Sequence, residues 1–238
     1  MTTLSVDTTV AEIAAELPAS TQVFEKYGID FCCGGRSALA EACRARGLDA
    51  AAILEEVQRE AGSGAVAAET DWRKAGLTEL AEYIVANHHA YLKTQLPRLE
   101  GMLQKVLAAH SARHADVLAP LAAIFRSMRE ELDSHLMKEE RILFPLIRAL
   151  ESGAGSRGFH CGSVQNPIRV MVMEHDSAGD ALARLRHLTS GYTPPADACT
   201  TFRTFYAGLA EMEADLHRHI HLENNILFPG AVELEANQ

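Results

Sequence analysis

Long apolar runs are missing from this chain: none approaches the ~20 residues that a membrane-spanning helix needs. Positive charge is also scarce. With 22 Lys and Arg against 32 Asp and Glu the net charge is −10, which argues against a nucleic-acid or anionic-membrane partner. Aromatic residues make up only 6% and Trp occurs once, while Ala, Leu and Glu abound, a balance that favours helices over sheets. The five cysteines (32, 33, 43, 161 and 199) form no CxxC pair, and their odd number argues against a disulfide scaffold. A reduced, cytoplasmic setting is therefore expected. The opening MTTLSVDTTV has neither the basic nor the apolar region of a secretory signal. Two metal signatures are absent as well. There is no HExxH, and no His has a Glu three residues before it, as the Glu-x-x-His pairs of ferritin-like carboxylate sites require.

What is present is helical material for a core, 47% apolar over 238 residues. Residues 1–61 read as a small helical domain. Thr9-x-x-Glu12 is a capping box, Ser20 opens a second helix with Gly28 as its stop, a third runs from about Ser37 to Arg46, and Asp49 caps a further one. Gly62-Ser63-Gly64 begins the one convincing linker, 62–70. Residues 71–238 then give four long segments, at about 77–109, 116–150, 166–189 and 196–228. Pro97 is expected to kink the first of them. A Gly/Ser-rich surface loop separates the second from the third. The fold class is all-α, a small helical domain followed by an up-down four-helix bundle.

One motif occurs twice. HLMKEERILFP at 135–145 returns as HIHLENNILFP at 219–229, offset by 84 residues, with His, Glu, Ile, Leu, Phe and Pro in register. The i, i+4 spacing stacks His135 over Glu139, and His219 over Glu223, on one helix face. A neutral imidazole and a carboxylate so placed make a clip for a first-row transition metal. Hairpin arithmetic adds partners. A turn near residue 112 brings position 89 level with His135, and position 89 is His. His175 is the looser counterpart for His219, across the GYTPPAD turn. His89, His135, Glu139, His175, His219 and Glu223 exceed what one tetrahedral Zn²⁺ takes and suit two metals sharing bridging carboxylates, iron first and manganese second.

The other histidines carry plainer readings. His88 also fits the apolar stripe, so periodicity leaves His88 and His89 unseparated. His110, His114, His160 and His187 fall in or near turns or off the stripe and are expected in solvent, and His217 and His221 point away from His219. Glu131, one turn before His135, and Glu174, beside His175, are expected to support the ligands. At Cys32-Cys33 a buried apolar pair is the bland alternative. Gly34-Gly35 and the helix beyond favour thiolates of lowered pKa suited to redox or metal handling. Cys43 and Cys199 read as structural.

Five ordered motifs, YGIDFCCGG, HH-x5-QLP, SHLMKEERILFP, MEHD and DLHRHIHLENNILFP, resemble the iron–sulfur cluster repair di-iron family, RIC (repair of iron centres), over nearly the whole chain. The resemblance implies a hemerythrin-like bundle with an oxo-bridged, non-haem di-iron centre behind a small domain bearing the Cys pair. It favours His89 over His88 as the ligand. It implies repair of iron–sulfur clusters damaged by nitric oxide or peroxide, with damaged iron–sulfur proteins as partners, NO or O₂ as small ligand, and NO turnover or a homodimer left open. A hemerythrin-type oxygen, iron or NO sensor is the alternative. Against the family pattern, loop 151–165, with His160 and Cys161, looks like an insertion.

Overall fold

The computed structural model describes residues 4–62, 70–153 and 162–238. All regular structure among them is helical, apart from an isolated bridge between Thr9 and Ala38. His160, Cys161 and most of the 62–70 linker lie outside the described residues. No helix among those described is long and apolar enough to cross a membrane.

The small domain contains α1 (Val10–Glu16), α2 (Ser20–Tyr27), α3 (Leu39–Arg44) and α4 (Ala50–Gly62). The capping box forms as its residues dictate: Thr9 Oγ1 accepts from the Glu12 N–H, and Glu12 returns the bond to the Thr9 N–H. Gly28 ends α2 at φ 65°, a left-handed backbone that glycine adopts without a Cβ penalty. The Asp49 side chain accepts from the Ala51 N–H at the start of α4. α3 begins at Leu39 and not at Ser37, because Ser37 and Ala38 lie alongside Thr9 and the Ser37 carbonyl accepts from Val10. Val10, Ile13, Phe24, Phe31, Leu39 and Val57 fill the core of this domain, and Ile220 of the bundle joins them.

The bundle is made of α5 (Leu77–Ile84), α6 (Ala90–Lys138), α7 (Phe144–Glu151), α8 (Gln165–Leu188), α9 (Thr200–Leu222) and α10 (Phe228–Ala236). Three π turns, Val85–His89, Glu139–Leu143 and Glu223–Leu227, are spliced between α5 and α6, α6 and α7, and α9 and α10. The last two have a readable cause. Pro145 and Pro229 lack an N–H and crowd the carbonyl four residues back, so the helix widens. Phe144 and Phe228 then donate five residues back, to the Glu139 and Glu223 carbonyls.

The first two expected segments, which run from α5 to α7, meet inside α6, where two helices join and the chain reverses at His114, the one residue of α6 with non-helical dihedrals (φ −129°, ψ 30°). Pairs across the hairpin, Arg126 with Glu100 and Arg148 with Glu82, are centred near that residue. Glu151 also accepts from the Leu77 and Thr78 N–H groups, capping α5 from the other strand of the hairpin. The kink expected at Pro97 leaves no mark on the local dihedrals: Pro97 and Pro120 keep helical values, and the fixed φ of proline is itself near the helical one. In the second hairpin Arg186 meets Glu213, and Ser163 meets Glu235 at 2.6 Å.

Two apolar clusters divide the bundle along its length. Leu80, Ile84, Leu143, Ile147, Leu227 and Phe228 belong to one, and Leu96, Leu103, Phe125, Phe205 and Leu209 to the other. The duplicated His and Glu side chains lie between these clusters.

Candidate metal centre

Four elements of the bundle converge on one level. The π turn Val85–His89 carries His89, α6 carries His135 in its last turn and leads into Glu139, α8 carries His175, and α9 carries His219 and leads into Glu223. All six side chains are buried, none more than 3% exposed. The separations show how the two halves interlock. Glu139 turns Oε2 to His89 Nε2 (3.4 Å) and Oε1 to His135 Nε2 (3.2 Å). Glu223 turns Oε1 to His219 Nε2 (3.2 Å) and Oε2 to His175 Nε2 (3.2 Å). Each carboxylate thus offers one oxygen to a His89/His219 group and the other to a His135/His175 group. Within each group the ligand atoms lie within 4.8 Å of one another.

Both oxygens of each glutamate, with His89 Nε2 and His219 Nε2, are sealed from solvent and make no hydrogen bond. Buried carboxylates without partners are costly, and two side by side more so. Cations between the groups would remove that cost, and two imidazoles plus two shared carboxylates per ion is a donor set iron accepts. The residues present fit a dinuclear metal. Protonation reports the same field. Burial opposes the His135 imidazolium, yet the Glu139, Glu223 and Glu174 carboxylates push it up to about 9. Burial would raise the Glu223 carboxyl, but His219 and His175 hold it well below the ordinary carboxylate range. At His219 burial wins and the imidazole is pushed down.

The outer ring nitrogens fix three of the imidazoles. His135 Nδ1 pairs with Glu174 Oε2 (2.9 Å), His89 Nδ1 with Glu140 Oε1 (2.8 Å), and His175 Nδ1 with Asn224 Oδ1 (2.9 Å). Such partners set the tautomer and leave Nε2 for a metal. Lys138 in turn pairs with Glu174. His219 Nδ1 has no partner among the described residues. Sequence reasoning reached Glu174 but missed Glu140 and Asn224, although each directly follows a ligand glutamate in the repeated motif. Glu131 is exposed and bonds Ser127 and Ser177 (both 3.1 Å), not a histidine. It borders a small cavity of ≈10 Å³ reaching His135, His175 and His219 between Met128, Leu132 and Ile220.

His88 is resolved from His89 by direction. Its Nδ1 pairs with Asp215 (2.9 Å), and its ring lies parallel to His219 with centroids 5.5 Å apart. Two expectations of solvated or bland histidines fail. His110 is buried at the far end of the bundle. His221 is also buried: its Nδ1 faces the Phe31 carbonyl (3.4 Å) and Asn225 Nδ2 (2.8 Å), and burial lowers its pKa to about 4. His217 and His221 both meet the Phe31 ring edge-on. They seat the small domain on the bundle, a role that only the tertiary contact discloses.

The Cys pair sits at that seam. Cys33 Sγ lies 3.5 Å from the His175 carbonyl and close to Gly179, where a Cβ would come within 3.3 Å of the sulfur. Asn224 links the two regions, since its Nδ2 donates to the Cys32 carbonyl (3.4 Å) while its Oδ1 holds His175. The expectation of a lowered thiol pKa fails at Cys32. Its thiol is held well up by the hydrogen bond with Cys33, by burial and by the Asp30 carboxylate. No helix begins here. Asp30 accepts from the Cys32, Cys33 and Gly34 N–H groups, and α3 starts only at Leu39. Cys43 is buried as expected, whereas Cys199 is exposed.

Comparison with known proteins agrees with this geometry. The profile of the hemerythrin HHE cation binding domain matches residues 80–231, and that of ScdA_N, a domain of unknown function, matches 6–61. The iron-sulfur cluster repair protein YtfE of Edwardsiella ictaluri is 43% identical over 226 residues, covering 95% of this chain and 97% of that protein. YtfE of Musicola paradisiaca is 42% identical over 230 residues, with the same coverage. A buried His and Glu set carried on a hemerythrin-type bundle, behind a cysteine-bearing domain and aligned end to end with these relatives, leads to one assignment: the chain belongs to the hemerythrin HHE family and, within it, to the YtfE family of iron-sulfur cluster repair proteins.

Proposed function

We propose that this protein restores iron–sulfur clusters damaged by oxidative or nitrosative stress, using two non-haem irons held by His89, His135, Glu139, His175, His219 and Glu223. The observation that carries the reading is the split of each buried carboxylate between two imidazole pairs. The kinship with YtfE relatives directs it to repair. Bound iron would supply open positions for a small ligand such as NO or O₂. The chain's own residues do the rest. Glu174, Glu140 and Asn224 orient three imidazoles, the apolar clusters on either side keep bulk water out, and Glu131 stands with Ser177 at the edge of the small cavity.

In this reading Cys32 and Cys33 are the point of exchange with a client iron–sulfur protein. They line a cleft of ≈560 Å³ between the small domain and the bundle, with Asp30, Asp176, Arg46 and Arg186 around them. The domains 1–61 and 71–238 divide the labour, the second holding metal and the first handling transfer, in a cytoplasmic setting. The test is a paired measurement. The iron-loaded wild type should hold about two irons per chain and reactivate a dehydratase whose cluster has been damaged by NO. A chain with Cys32→Ala and Cys33→Ala should keep its iron and helicity and lose most of the reactivation. One zinc and no iron in the wild type overturns the di-iron reading, and full activity in the double variant overturns the role of the pair.

A further inference from the structure

The end of the bundle remote from the iron ligands carries a second group of metal-ligating side chains. His110 and His114 stand one turn apart at the reversal of α6, and Asp197 reaches them from the segment that leads into α9. One nitrogen from each imidazole and one Asp197 oxygen all lie within 4.8 Å of one another. His110 is 21 residues beyond His89, so the group is roughly 30 Å away along the helix at about 1.5 Å per residue. It shares no residue with the iron centre.

The surroundings are those of a prepared site. His110 is 8% exposed and packs on the Phe202 ring, centroids 5.2 Å apart, while its ring nitrogens make no hydrogen bond among the described residues. The His110 ring is thus held by packing and not by a hydrogen bond, which leaves its nitrogens open to another ligand. His114 has left helical dihedrals, and its Nε2 meets Asp197 Oδ1 at 2.9 Å. Arg113 Nη1 occupies the other oxygen, Oδ2, at 3.1 Å and steadies the carboxylate without covering Oδ1.

We propose that His110, His114 and Asp197 bind a divalent first-row cation of the zinc type, which pins the reversal of the first hairpin to the loop that opens the last long helix. Two imidazoles and a carboxylate are a donor set that Zn²⁺ takes with a water in the fourth position. His114 would exchange its hydrogen bond with Asp197 for a shared ion, and His110 would gain the partner it lacks. The competing account is that the His114–Asp197 bond alone closes the turn. The proposal does not depend on the identity of the metal in the bundle centre.

The full iron-loaded chain is titrated with Zn²⁺, and with Co²⁺ as a spectroscopic probe, while iron content is followed. The expected result is one further equivalent bound with iron retained, and an unfolding midpoint raised by roughly 5 °C at a hundredfold excess over Kd. His114→Ala and Asp197→Asn, both at accessible positions, should each lower the affinity at least roughly tenfold with helicity and iron content unchanged. His110→Ala should abolish the site. Absence of saturable binding in the wild type overturns the proposal, as does equal binding in the His114 and Asp197 variants. Zinc that enters only as iron leaves overturns it too, because the bundle centre is then where it binds.

Discussion

The two hairpins present the same ligand set to the centre and differ in what stands behind it. In each, the residue after the ligand glutamate holds the lone histidine of its own hairpin, but Glu140 does so as a carboxylate and Asn224 as an amide. Glu140 also pairs with Lys93 toward solvent, whereas Asn224 reaches the Cys32 carbonyl. The next position repeats the contrast: Arg141 is exposed, and its counterpart Asn225 bonds the Phe31 carbonyl. The residues preceding the lone histidines diverge as well. Glu174 accepts from His135, while His88 lies flat against His219 and the His219 Nδ1 finds no partner among the described residues. The two copies of the motif thus share the atoms that face the centre and differ in the outer ones, so one half meets a salt-bridged surface and the other meets the cysteine domain.

The largest expected effect tests the part the halves share. Glu139→Ala and Glu223→Ala should each drop iron from about two per chain to below one, because four imidazoles and two cations are left with one bridge. Iron analysis on the purified chains reads this directly, and a variant that keeps both irons shows that its carboxylate does not bridge. The next test addresses the divergence. Glu140→Ala and Asn224→Ala should each weaken metal binding by roughly 10–100-fold, measured by competition with a chelator. Asn224→Ala alone should also loosen the seam, seen as faster hydrogen exchange in residues 29–35. Equal exchange in the two variants would remove the distinction between the halves.

The smallest effect concerns the thiols. With its pKa held up, Cys32 should alkylate more slowly than Cys33 near neutral pH and catch up only in alkali, read by mass spectrometry. A thiol whose folded pKa is raised contributes stability that is present below the unfolded value of about 8.5 and is lost as pH rises toward the folded value. The Cys32→Ala chain should therefore show a flatter decline of stability above about pH 8.5 than the wild type. Fast labelling of Cys32 at neutral pH would restore the reading of a thiolate poised by its backbone.

How far this was legible from residues alone depends on the range of the interaction. Helix identity, the capping box at Thr9 and the reversal close to His114 follow from local pattern. So does the shared level of His89 and His135, which face the two oxygens of Glu139, because equal distance from a turn means equal height. Asn224, Asn225, His217 and His221 act across the domain seam, and nothing in their local sequence says which surface they will face. The Cys pair misled for a related reason. Gly34-Gly35 resembles the approach to a helix, but Asp30 claims the backbone N–H groups that a helix N-terminus would have offered.

The π turns that follow Glu139 and Glu223 set the phase of the helices beyond them. Each widened turn takes up one residue more than an α-helix would, and one residue is about 100° of rotation. The ligands and the apolar residues past the motif are therefore read in two angular frames, joined at Ile142 and Ile226. Loss of one residue from the turn after Glu139 would leave all six ligands in the chain. It would nevertheless swing Leu146, Ile147 and Leu150 off the core they now fill, so spacing inside ILFP is constrained as strictly as the His–Glu pair before it.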